Sequence, residues 1–395
     1  MIRVFLNCIA ASAGGGLTYL RNVVPHLSRR PGVHTTVAAG RFPRNELEAS
    51  PNITLLEIEA PQSATRRFLW EQTALPKLIA SAGADVLIST GNFALHRSPV
   101  PQILLSRNAL YCSADFFRDL RARREYFIWL DTRLRGVLAK RSIGWADRTV
   151  APSRAFAQEL QRWTGKTITA IHHGFDREPF FGDQSPLPPE IRQQLDSAHN
   201  AVRLLFVSHY NYYRNFETVF RALAIVRARL PHTRVLLFLT CKLNSKDNPG
   251  AYQAEPAAAL VRQLGLSDAV IELGAIPYRL LHQVYRGCNI YVTAAYAETF
   301  AHPLVEAMAS GLPVIASDLA VHREICGAAA CYFPAFSETE LAAQIEKLIT
   351  QPEAAQSLVR EGGKRWQDFS WAGHADEILR LAEELLRERS RRNER

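Results

Sequence analysis

The sequence contains no apolar run long enough to cross a membrane, and its best candidates, such as Val235–Leu239, have the length of a buried strand. Its six cysteines form neither a CxxC motif nor any paired spacing. This argues against a zinc site or a disulfide framework and favours a reduced compartment. Clusters with metal-ligand spacing are absent from the sequence as well, so no bound metal is expected.

Length and composition predict a folded protein with two domains. The chain has 395 residues, of which 47% are hydrophobic and 22% charged, and these values exclude a single small module, wholesale disorder and fibrous structure. The net charge of +9 is uneven, because residues 1–170 carry 23 Lys and Arg against 12 Asp and Glu. This asymmetry indicates an anionic partner (phosphate groups, nucleic acid or a lipid surface), unless 40 arginines against 7 lysines reflect compositional bias alone.

Strand-like and helix-like segments alternate along the chain. The N-terminus superficially resembles a signal peptide, but Asn7 interrupts its apolar stretch, so we interpret residues 2–10 as a buried strand. Further strands are predicted at 35–39, 53–58, 86–89, 102–106 and 148–151 in the first half. The second half alternates strands at 203–207, 235–240, 270–273 and 290–293 with helices at 216–229, 255–264 and 278–286. Such alternation predicts mainly parallel sheets with helices on both faces.

The predicted fold class is α/β, with two doubly wound Rossmann-like domains that face a central cleft. We place an N-terminal domain at residues 1–180 and a C-terminal domain at 201–370. The segment 181–200 is predicted to be a linker, because its Gly, Ser and Pro content suits a surface connection. Residues 371–395 have apolar side chains on one face of a helix, which we expect to pack back toward the N-terminal domain.

Residues 296–318 contain two glutamates in different settings. Glu298 follows a predicted strand, whereas Glu306 lies in a short helix that has Pro303 in its first turn and Gly311 just past its end. Free N–H groups at a helix start suit phosphate, and carboxylates accept hydrogen bonds from hydroxyls. The pattern therefore suits a polyhydroxylated, phosphate-bearing ligand, while a solvated helix start without a ligand is the default explanation of these residues taken alone.

The stretch from Glu298 to Glu306 resembles the E-x7-E motif of glycosyltransferase family 4, whose members are retaining enzymes with the GT-B fold. Five further segments resemble family motifs in the same order along the chain. They are Gly14-Gly15-Gly16, Ala151-Pro152-Ser153, His173-Gly174-Phe175-Asp176, Val207-Ser208-His209 with Arg214-Asn215, and Phe369-Ser370-Trp371. The resemblance thus extends over most of the chain and makes residues 1–180 the acceptor side and 201–370 the nucleotide-sugar side.

The resemblance also implies a role for each candidate residue. Glu298 would bond to hydroxyls of the donor sugar and Arg214 would neutralise the diphosphate leaving group, which makes these two the catalytic candidates. Glu306 would bind the ribose of the nucleotide. The other donor-binding candidates are His209, Gly15, Gly16, Thr299, Phe300, Ala301 and His302.

Several positions depart from the family pattern. His209 stands in place of an arginine, Ala295 in place of a serine, and Ala301-His302 in place of Gly-Leu. Thr90-Gly91-Asn92 occupies the place where the family often has a histidine. No catalytic base is assigned for this reason, and the leaving phosphate itself can take the acceptor's proton.

The segment 118–148 carries nine basic residues against four acidic ones, interleaved with aromatic and aliphatic side chains. Such a basic helix suits an anionic membrane surface or a lipid diphosphate. A helix that buries its apolar side and exposes its basic side explains the pattern equally well.

The function that the resemblance implies is retaining transfer of a hexose, such as mannose, to a glycan or lipid-linked glycan in surface polysaccharide assembly. GDP-mannose or a UDP-sugar would be the co-substrate, with no resident cofactor or metal. The protein would be cytoplasmic with peripheral contact at the inner membrane face, and it would have no nucleic-acid partner because no nucleic-acid module is recognised. The alternative is a non-catalytic paralogue that binds a nucleotide sugar as an assembly partner.

Overall fold

The structure is a computed structural model that describes residues 1–10, 15–40, 50–61 and 63–394. Its contacts divide the chain into two compact units. Unit 1 comprises Met1–Cys112, Leu130–Gly174 and Phe369–Arg395, and unit 2 comprises Ser113–Trp129 and Phe175–Asp368. A segment of the first half of the chain therefore belongs to unit 2, and the C-terminal segment belongs to unit 1.

Unit 1 contains a seven-stranded sheet whose neighbouring strands are all parallel. Its strands are β1 (Ile2–Asn7), β2 (Val33–Ala39), β3 (Ile53–Glu57), β4 (Val86–Ser89), β5 (Gln102–Leu105), β6 (Arg148–Ala151) and β7 (Thr169–Ala170). They lie in the order β3-β2-β1-β4-β5-β6-β7. The strand order thus reverses between β1 and β4, which is the switch point where such sheets bind ligands.

Unit 2 contains a second sheet with only parallel neighbours, made of six strands. They are β8 (Val202–Phe206), β9 (Val235–Leu239), β10 (Val270–Glu272), β11 (Ile290–Thr293), β12 (Val314–Ser317) and β13 (Ala330–Phe333). Their order is β10-β9-β8-β11-β12-β13. The switch point of unit 2 lies between β8 and β11, where Leu204 pairs with Ile290.

Helices alternate with these strands along the chain. Those of the first 174 residues are α1 (Gly15–Ser28), α2 (Ala64–Ser81), α3 (Ala114–Ala122), α4 (Tyr126–Trp145) and α5 (Arg154–Thr164). Unit 2 adds α6 (Arg177–Phe181), α7 (Pro189–Asp196), α8 (Phe216–Arg229), α9 (Glu255–Gln263), α10 (Tyr278–Arg286), α11 (His302–Ala309), α12 (Ala320–Cys326), α13 (Glu338–Thr350) and α14 (Pro352–Arg365), and α15 (Trp371–Asn393) follows in unit 1. Among the described residues, no helix combines the length and the apolar character needed to cross a bilayer.

The burial of the strands explains the parallel sheets. Every residue of β4 and of β9 is buried, as expected where helices cover both faces of a parallel sheet. In unit 1, Ile378 and Leu385 of α15 share one core with β1 and with Leu20 of α1. The apolar face predicted for residues 371–395 is thus used within unit 1.

The predicted α/β fold class with parallel sheets is confirmed. Strands 86–89, 148–151 and 290–293 and helices 216–229 and 278–286 have their predicted bounds, and most other elements are shifted by only one or two residues. The two-residue strand β7 and the strand β13 have no counterpart among the predicted strands. Residues 181–200, predicted as a linker, lie in unit 2 and contain α7, because Pro189 starts a helix that buries Ile191 and Leu195.

Candidate functional site

The switch point of unit 2 brings together two loops of opposite charge. The β8 loop, which follows β8, carries Arg214, and the β11 loop, which follows β11, carries Glu298. Because β8 and β11 are neighbours, their carboxyl ends meet at one edge of the sheet. The predicted catalytic residues lie in contact there, since Arg214 Nη1 donates to Glu298 Oε2 in an ion pair.

Two asparagines fix the β8 loop at Arg214. The Asn211 side chain accepts a hydrogen bond from the Arg214 N–H at 3.2 Å and caps the 3-10 turn Tyr212–Arg214. Asn215 has a φ of 57°, a left-handed conformation that asparagine tolerates better than most residues. Its side chain donates to the Ala335 carbonyl at 2.6 Å. Helix α8 begins at the residue after Asn215. Hydrogen bonds of Asn211 and Asn215 therefore fix the backbone on both sides of Arg214.

The ion pair is largely removed from solvent. The side chains of Arg214 and Glu298 are 19% and 10% exposed, and the Thr299 N–H donates to Glu298 Oε1 at 2.9 Å. Burial by itself favours the neutral acid, but the Arg214 charge and the Thr299 N–H hold the pKa of Glu298 below its ordinary value. Burial also opposes the guanidinium charge, yet Glu298 outweighs it and raises the pKa of Arg214. Both groups are therefore charged at neutral pH.

Residues of the segment 113–129 support both loops. The Tyr296 N–H of the β11 loop donates to the Tyr213 carbonyl of the β8 loop at 3.0 Å, which ties the two loops to each other. The Tyr296 hydroxyl donates to Asp119 of α3 at 2.6 Å. The Tyr212 hydroxyl donates to Glu125 at 2.5 Å. A segment distant in sequence thus fixes the backbone next to both charged residues.

Glu306 belongs to the same motif as Glu298 but lies in a different environment. It is located in α11 and is 4% exposed. Tyr285 of α10 donates its hydroxyl to Glu306 Oε2 at 2.9 Å. The Tyr278 hydroxyl of the same helix lies close enough to lower the pKa of the carboxyl group as well. Burial raises the pKa of Glu306 to about 7, although the two hydroxyls oppose the shift.

The backbone between the two glutamates turns at Ala301. This residue precedes α11 with a φ of 65°, in the left-handed region that favours glycine. It is also the position where the family pattern has glycine. Pro303 lies in the first turn of α11, and Gly311, with a φ of 78°, follows its end. The predictions made for these two residues are confirmed.

The remaining unit 2 candidates lie on the same two loops or at the start of α11. The Phe300 ring is buried and its centroid lies 4.9 Å from that of His302. His209 is an exposed residue of the β8 loop. Partial desolvation and the Arg214 charge lower the pKa of His209, so its imidazole is neutral at neutral pH. The roles of these residues toward a donor stay predictions.

The glycine candidates belong to unit 1. Gly15 and Gly16 are the first two residues of α1, whereas Gly14 lies outside the described residues. At the switch point of unit 1, the Thr90 N–H donates to the Asn7 carbonyl at 3.1 Å, and Arg107 donates to the Thr90 carbonyl at 2.7 Å. The role of the two glycines toward a donor stays a prediction.

Two of the quoted motifs meet in unit 1. A Cβ at Gly174 would lie 1.9 Å from the Trp371 backbone nitrogen, so only glycine allows this approach. The His173 ring stacks on Trp371 with a centroid distance of 5.2 Å. The chain enters unit 2 after Gly174 and leaves it before Phe369. These motifs therefore stabilise unit 1 at the two points where the chain passes from one unit to the other.

Three residues of the site lack a sequence signal strong enough to identify them. His322 of α12 is fully buried, and the charges of Glu298 and Arg214 both act on its ring. Tyr278 and Tyr285 are seven residues apart on α10, a spacing that indicates a shared helix face and nothing about a carboxylate partner.

Within the residues that the structure describes, no three His, Cys, Asp or Glu side chains are grouped closely enough to hold a metal ion.

Charged loops at the switch point of an all-parallel α/β sheet define a Rossmann-like ligand-binding protein. Residues 13–179 match the family model described as Glycosyltransferase Family 4. Residues 188–365 match the model described as Glycosyl transferases group 1. These two matches together cover most of the chain, and the chain belongs to the group 1 glycosyltransferases of family 4.

Curated relatives are similar over part of their length. The D-inositol 3-phosphate glycosyltransferase of Mycobacteroides abscessus is 28% identical over 255 residues, which are 62% of this chain and 54% of that protein. Its counterpart in Kribbella flavida is 25% identical over 232 residues, which are 57% of this chain and 54% of that protein. The match therefore spans about half the length of these relatives.

Solved structures share the fold over nearly the whole chain. Sucrose-phosphate synthase from Thermosynechococcus elongatus superposes with a TM-score of 0.77 at 21% identity and covers 98% of this chain and 99% of its own. Anabaena HepE in complex with UDP-glucose has a TM-score of 0.70 at 17% identity, with 97% and 100% covered. The glycosyltransferase WaaG has a TM-score of 0.68 at 16% identity, with 96% and 99% covered. At these identities the likeness establishes the GT-B fold.

Proposed function

We propose that this chain is a hexosyltransferase that moves a sugar from a nucleotide sugar to an acceptor with retention of the anomeric configuration. The observation that carries the proposal is the buried ion pair of Arg214 and Glu298 at the switch point of unit 2. Breaking the bond between a sugar and a diphosphate develops positive charge on the sugar and negative charge on the leaving group. A carboxylate and a guanidinium at one site match these two charges.

The two glutamates bind different parts of the nucleotide sugar. Glu298 accepts hydrogen bonds from hydroxyls of the sugar, Arg214 neutralises the departing diphosphate, and Glu306 binds the ribose. The leaving phosphate takes the proton of the acceptor hydroxyl, so the reaction uses no protein base, metal or resident cofactor. Further donor contacts are assigned to His209, Gly15, Gly16, Thr299, Phe300, Ala301 and His302.

The co-substrate is a UDP-sugar or GDP-mannose, and the acceptor is a glycan or lipid-linked glycan in surface polysaccharide assembly. Support comes from HepE, which binds UDP-glucose, and from WaaG, which is involved in lipopolysaccharide biosynthesis. The six cysteines are all free and four of them are buried, which supports a reducing, cytoplasmic compartment.

A donor screen followed by turnover tests the proposal. Nucleotide sugars are screened by thermal shift, since a ligand that binds the folded state raises the melting temperature. The best donor is then assayed for nucleoside diphosphate release with and without glycan acceptors. We expect Glu298→Ala to abolish release, and we expect the control Glu353→Ala, a change at an exposed glutamate of α14, to preserve it.

The same assay separates the enzyme from its alternative. A wild-type protein that binds a nucleotide sugar but turns over no donor with any acceptor would be the non-catalytic assembly partner. Retained turnover in Glu298→Ala would remove the ion pair from the mechanism.

Helix α4 distributes its side chains in the reverse of the usual pattern. Its buried residues are mostly small or hydroxyl-bearing, namely Thr132, Gly136, Ala139 and Ser142, with Ile143 added. Its large apolar side chains form an exposed α4 face, which consists of Tyr126, Phe127, Leu130, Leu134 and Val137. Water-facing helix surfaces normally carry polar residues, so we expect this apolar face to be an interaction surface.

An anionic lipid surface fits the charge of α4. Arg133, Lys140 and Arg141 are exposed, and the helix's one acidic residue, Asp131, pairs with Arg135 at 2.8 Å. We infer that the α4 face docks peripherally on a membrane, with apolar side chains in the interface and cations at the headgroups. A lipid-linked acceptor would be found at that surface.

Vesicle binding tests this docking. We expect the double change Phe127→Ser and Leu134→Ser to weaken binding to phosphatidylglycerol-containing vesicles about tenfold or more, because each apolar side chain loses its burial. Leu69→Ser is the matched control, since Leu69 of α2 is 60% exposed while Leu134 is 64% exposed. Equal binding by the double variant and the wild type would refute the docking.

A further inference from the structure

The imidazole of His322 is held in one tautomer. Its Nδ1 lies 2.8 Å from the Ser317 carbonyl oxygen. Because a carbonyl oxygen only accepts hydrogen bonds, Nδ1 carries the proton and donates it. The Ser317 hydroxyl, 3.1 Å from the same nitrogen, donates its own proton to the Ala295 carbonyl. The other ring nitrogen, Nε2, is consequently an unprotonated acceptor.

Within the part of the chain that the structure describes, no group donates a hydrogen bond to this acceptor. His322 is fully buried, and its Nε2 has no hydrogen-bond partner among the described residues. Burial also lowers the pKa of His322, so protonation of Nε2 does not relieve the mismatch. A buried polar atom without a partner is costly and usually has a ligand or a functional reason.

His322 lies near the ion pair, so a polar ligand that pairs with its Nε2 would belong to the same site. The charges of Glu298 and Arg214 both act on the His322 ring. Ser317 and Ala295 connect His322 to the β11 loop that carries Glu298. A second buried polar atom of the ion pair, the Nε of Arg214, also lacks a partner among the described residues. The site therefore holds an unused acceptor and an unused donor.

We propose that His322 Nε2 accepts a hydrogen bond from one hydroxyl of the donor's sugar and thereby selects donors that carry this hydroxyl. The inference rests on the proposed function, because it names a contact to the same nucleotide sugar. His322 is a specificity-determining residue in this account and takes no part in bond breaking. A sugar without the hydroxyl leaves the buried acceptor unpaired, which is the strongest way for a binding site to reject an analogue.

Two substitutions separate the two ring nitrogens. His322→Asn keeps a donor near the Nδ1 position and removes the acceptor at the Nε2 position. His322→Gln extends an amide oxygen to the Nε2 position and gives up the donor to Ser317. The measured quantity is the sugar increment, defined as the affinity of UDP-glucose over UDP, and of GDP-mannose over GDP, in isothermal titration calorimetry.

We expect the increment to fall about five- to tenfold in His322→Asn and to stay within about threefold of wild type in His322→Gln, because one neutral hydrogen bond is at stake. Affinity for UDP or GDP alone should not change. An increment retained in His322→Asn, or lost only in His322→Gln, would mean that His322 supports the fold and does not contact the sugar. A wild type that binds no nucleotide sugar, either in the thermal-shift screen or in calorimetry, would overturn the proposed function and this inference with it.

Nitrogen NMR on the wild-type protein covers the case in which neither variant folds. The His322 Nε2 resonance should shift when the nucleotide sugar is added and stay in place when only the nucleoside diphosphate is added. A chemical shift of His322 Nε2 that is the same with the nucleotide sugar and with the nucleoside diphosphate would refute the contact.

Discussion

Glu298 and Glu306 belong to one short motif, yet the protein gives their carboxyl groups opposite tendencies. Glu298 faces a guanidinium and a backbone N–H, and its pKa is lowered. Glu306 faces two tyrosine hydroxyls, and its pKa rises to about 7. Both carboxyl groups are largely buried, so burial alone does not decide the charge of a glutamate. The charge depends on the hydrogen-bonding or ionic partner that the neighbouring loop or helix provides.

The origin of the difference is the sheet topology. The β11 loop lies beside the β8 loop because the two strands are neighbours at the switch point, and that loop brings Arg214. Helix α11 instead faces α10, whose tyrosines bring neutral donors. This difference fits the proposed roles, in which Glu298 meets developing charge and Glu306 accepts hydrogen bonds from the ribose hydroxyls.

The largest expected effect comes from removing the charge of Glu298 while keeping its shape. Glu298→Gln should lower kcat for nucleoside diphosphate release by roughly 10²–10³-fold, as for other groups that stabilise developing charge. The control is Glu353→Gln at an exposed site. A kcat within a few-fold of wild type would show that the charge of Glu298 does not stabilise the developing charge of the reaction.

The second effect is on stability and concerns Arg214. Arg214→Met leaves Glu298 charged and buried without its cation, which should cost about 3 kcal/mol in the free energy of unfolding. The double variant with Glu298→Gln should lose less than the sum of the single losses, by roughly 1–3 kcal/mol. Urea denaturation of all four proteins measures this coupling, and strict additivity would contradict the ion pair.

The third effect is a pH dependence that has opposite signs at the two glutamates. A raised folded-state pKa makes Glu306 stabilising below its unfolded value, and this stability is lost as pH rises through about 7. The wild type should therefore lose about 2.5 kcal/mol relative to Glu306→Gln between about pH 5 and about pH 8.

Glu298 provides the matched comparison for that series. Its lowered pKa stabilises the protein above the unfolded value, so the advantage of wild type over Glu298→Gln should shrink only as the solution becomes acidic. Urea titrations across the pH range test both slopes. Parallel slopes for the two variants would refute the contrast between the sites.

The smallest effect concerns the residue that separates the two glutamates. Ala301→Gly should stabilise the protein by roughly 0.5–1 kcal/mol, because glycine adopts the left-handed conformation at this position without a steric cost. Ala307→Gly, inside α11, is the control and should destabilise. A loss of stability in Ala301→Gly would argue against the strained turn.

The sequence predicts local structure and motif positions better than the partners of the site residues. Strand alternation and caps such as Pro303 and Gly311 are local signals, and the structure follows them. The Arg214–Glu298 contact follows from strand order, which no local pattern contains. The tyrosines of α10 and the segment that carries Asp119 reach the site only through tertiary packing.

Two predictions from composition also depend on tertiary packing that the sequence does not show. The prolines before α7 suit a linker and also suit a helix start, and the burial of Ile191 decides for the helix. For α4 the periodicity of the sequence does not tell which face is buried, because small residues such as Gly136 and Ala139 pack inward while Phe127 is 82% exposed.

The central claim is that Glu298 binds the sugar and Glu306 binds the ribose of the donor. Calorimetry tests it most directly, by comparing the affinity of the protein for UDP-glucose with that for UDP, and for GDP-mannose with that for GDP. The account predicts that Glu298→Gln removes most of the affinity that the sugar adds and leaves nucleoside diphosphate binding nearly unchanged. It also predicts that Glu306→Gln weakens the nucleotide sugar and the nucleoside diphosphate by the same factor. A Glu298→Gln protein that keeps the full contribution of the sugar, or a Glu306→Gln protein that loses only this contribution, would contradict it.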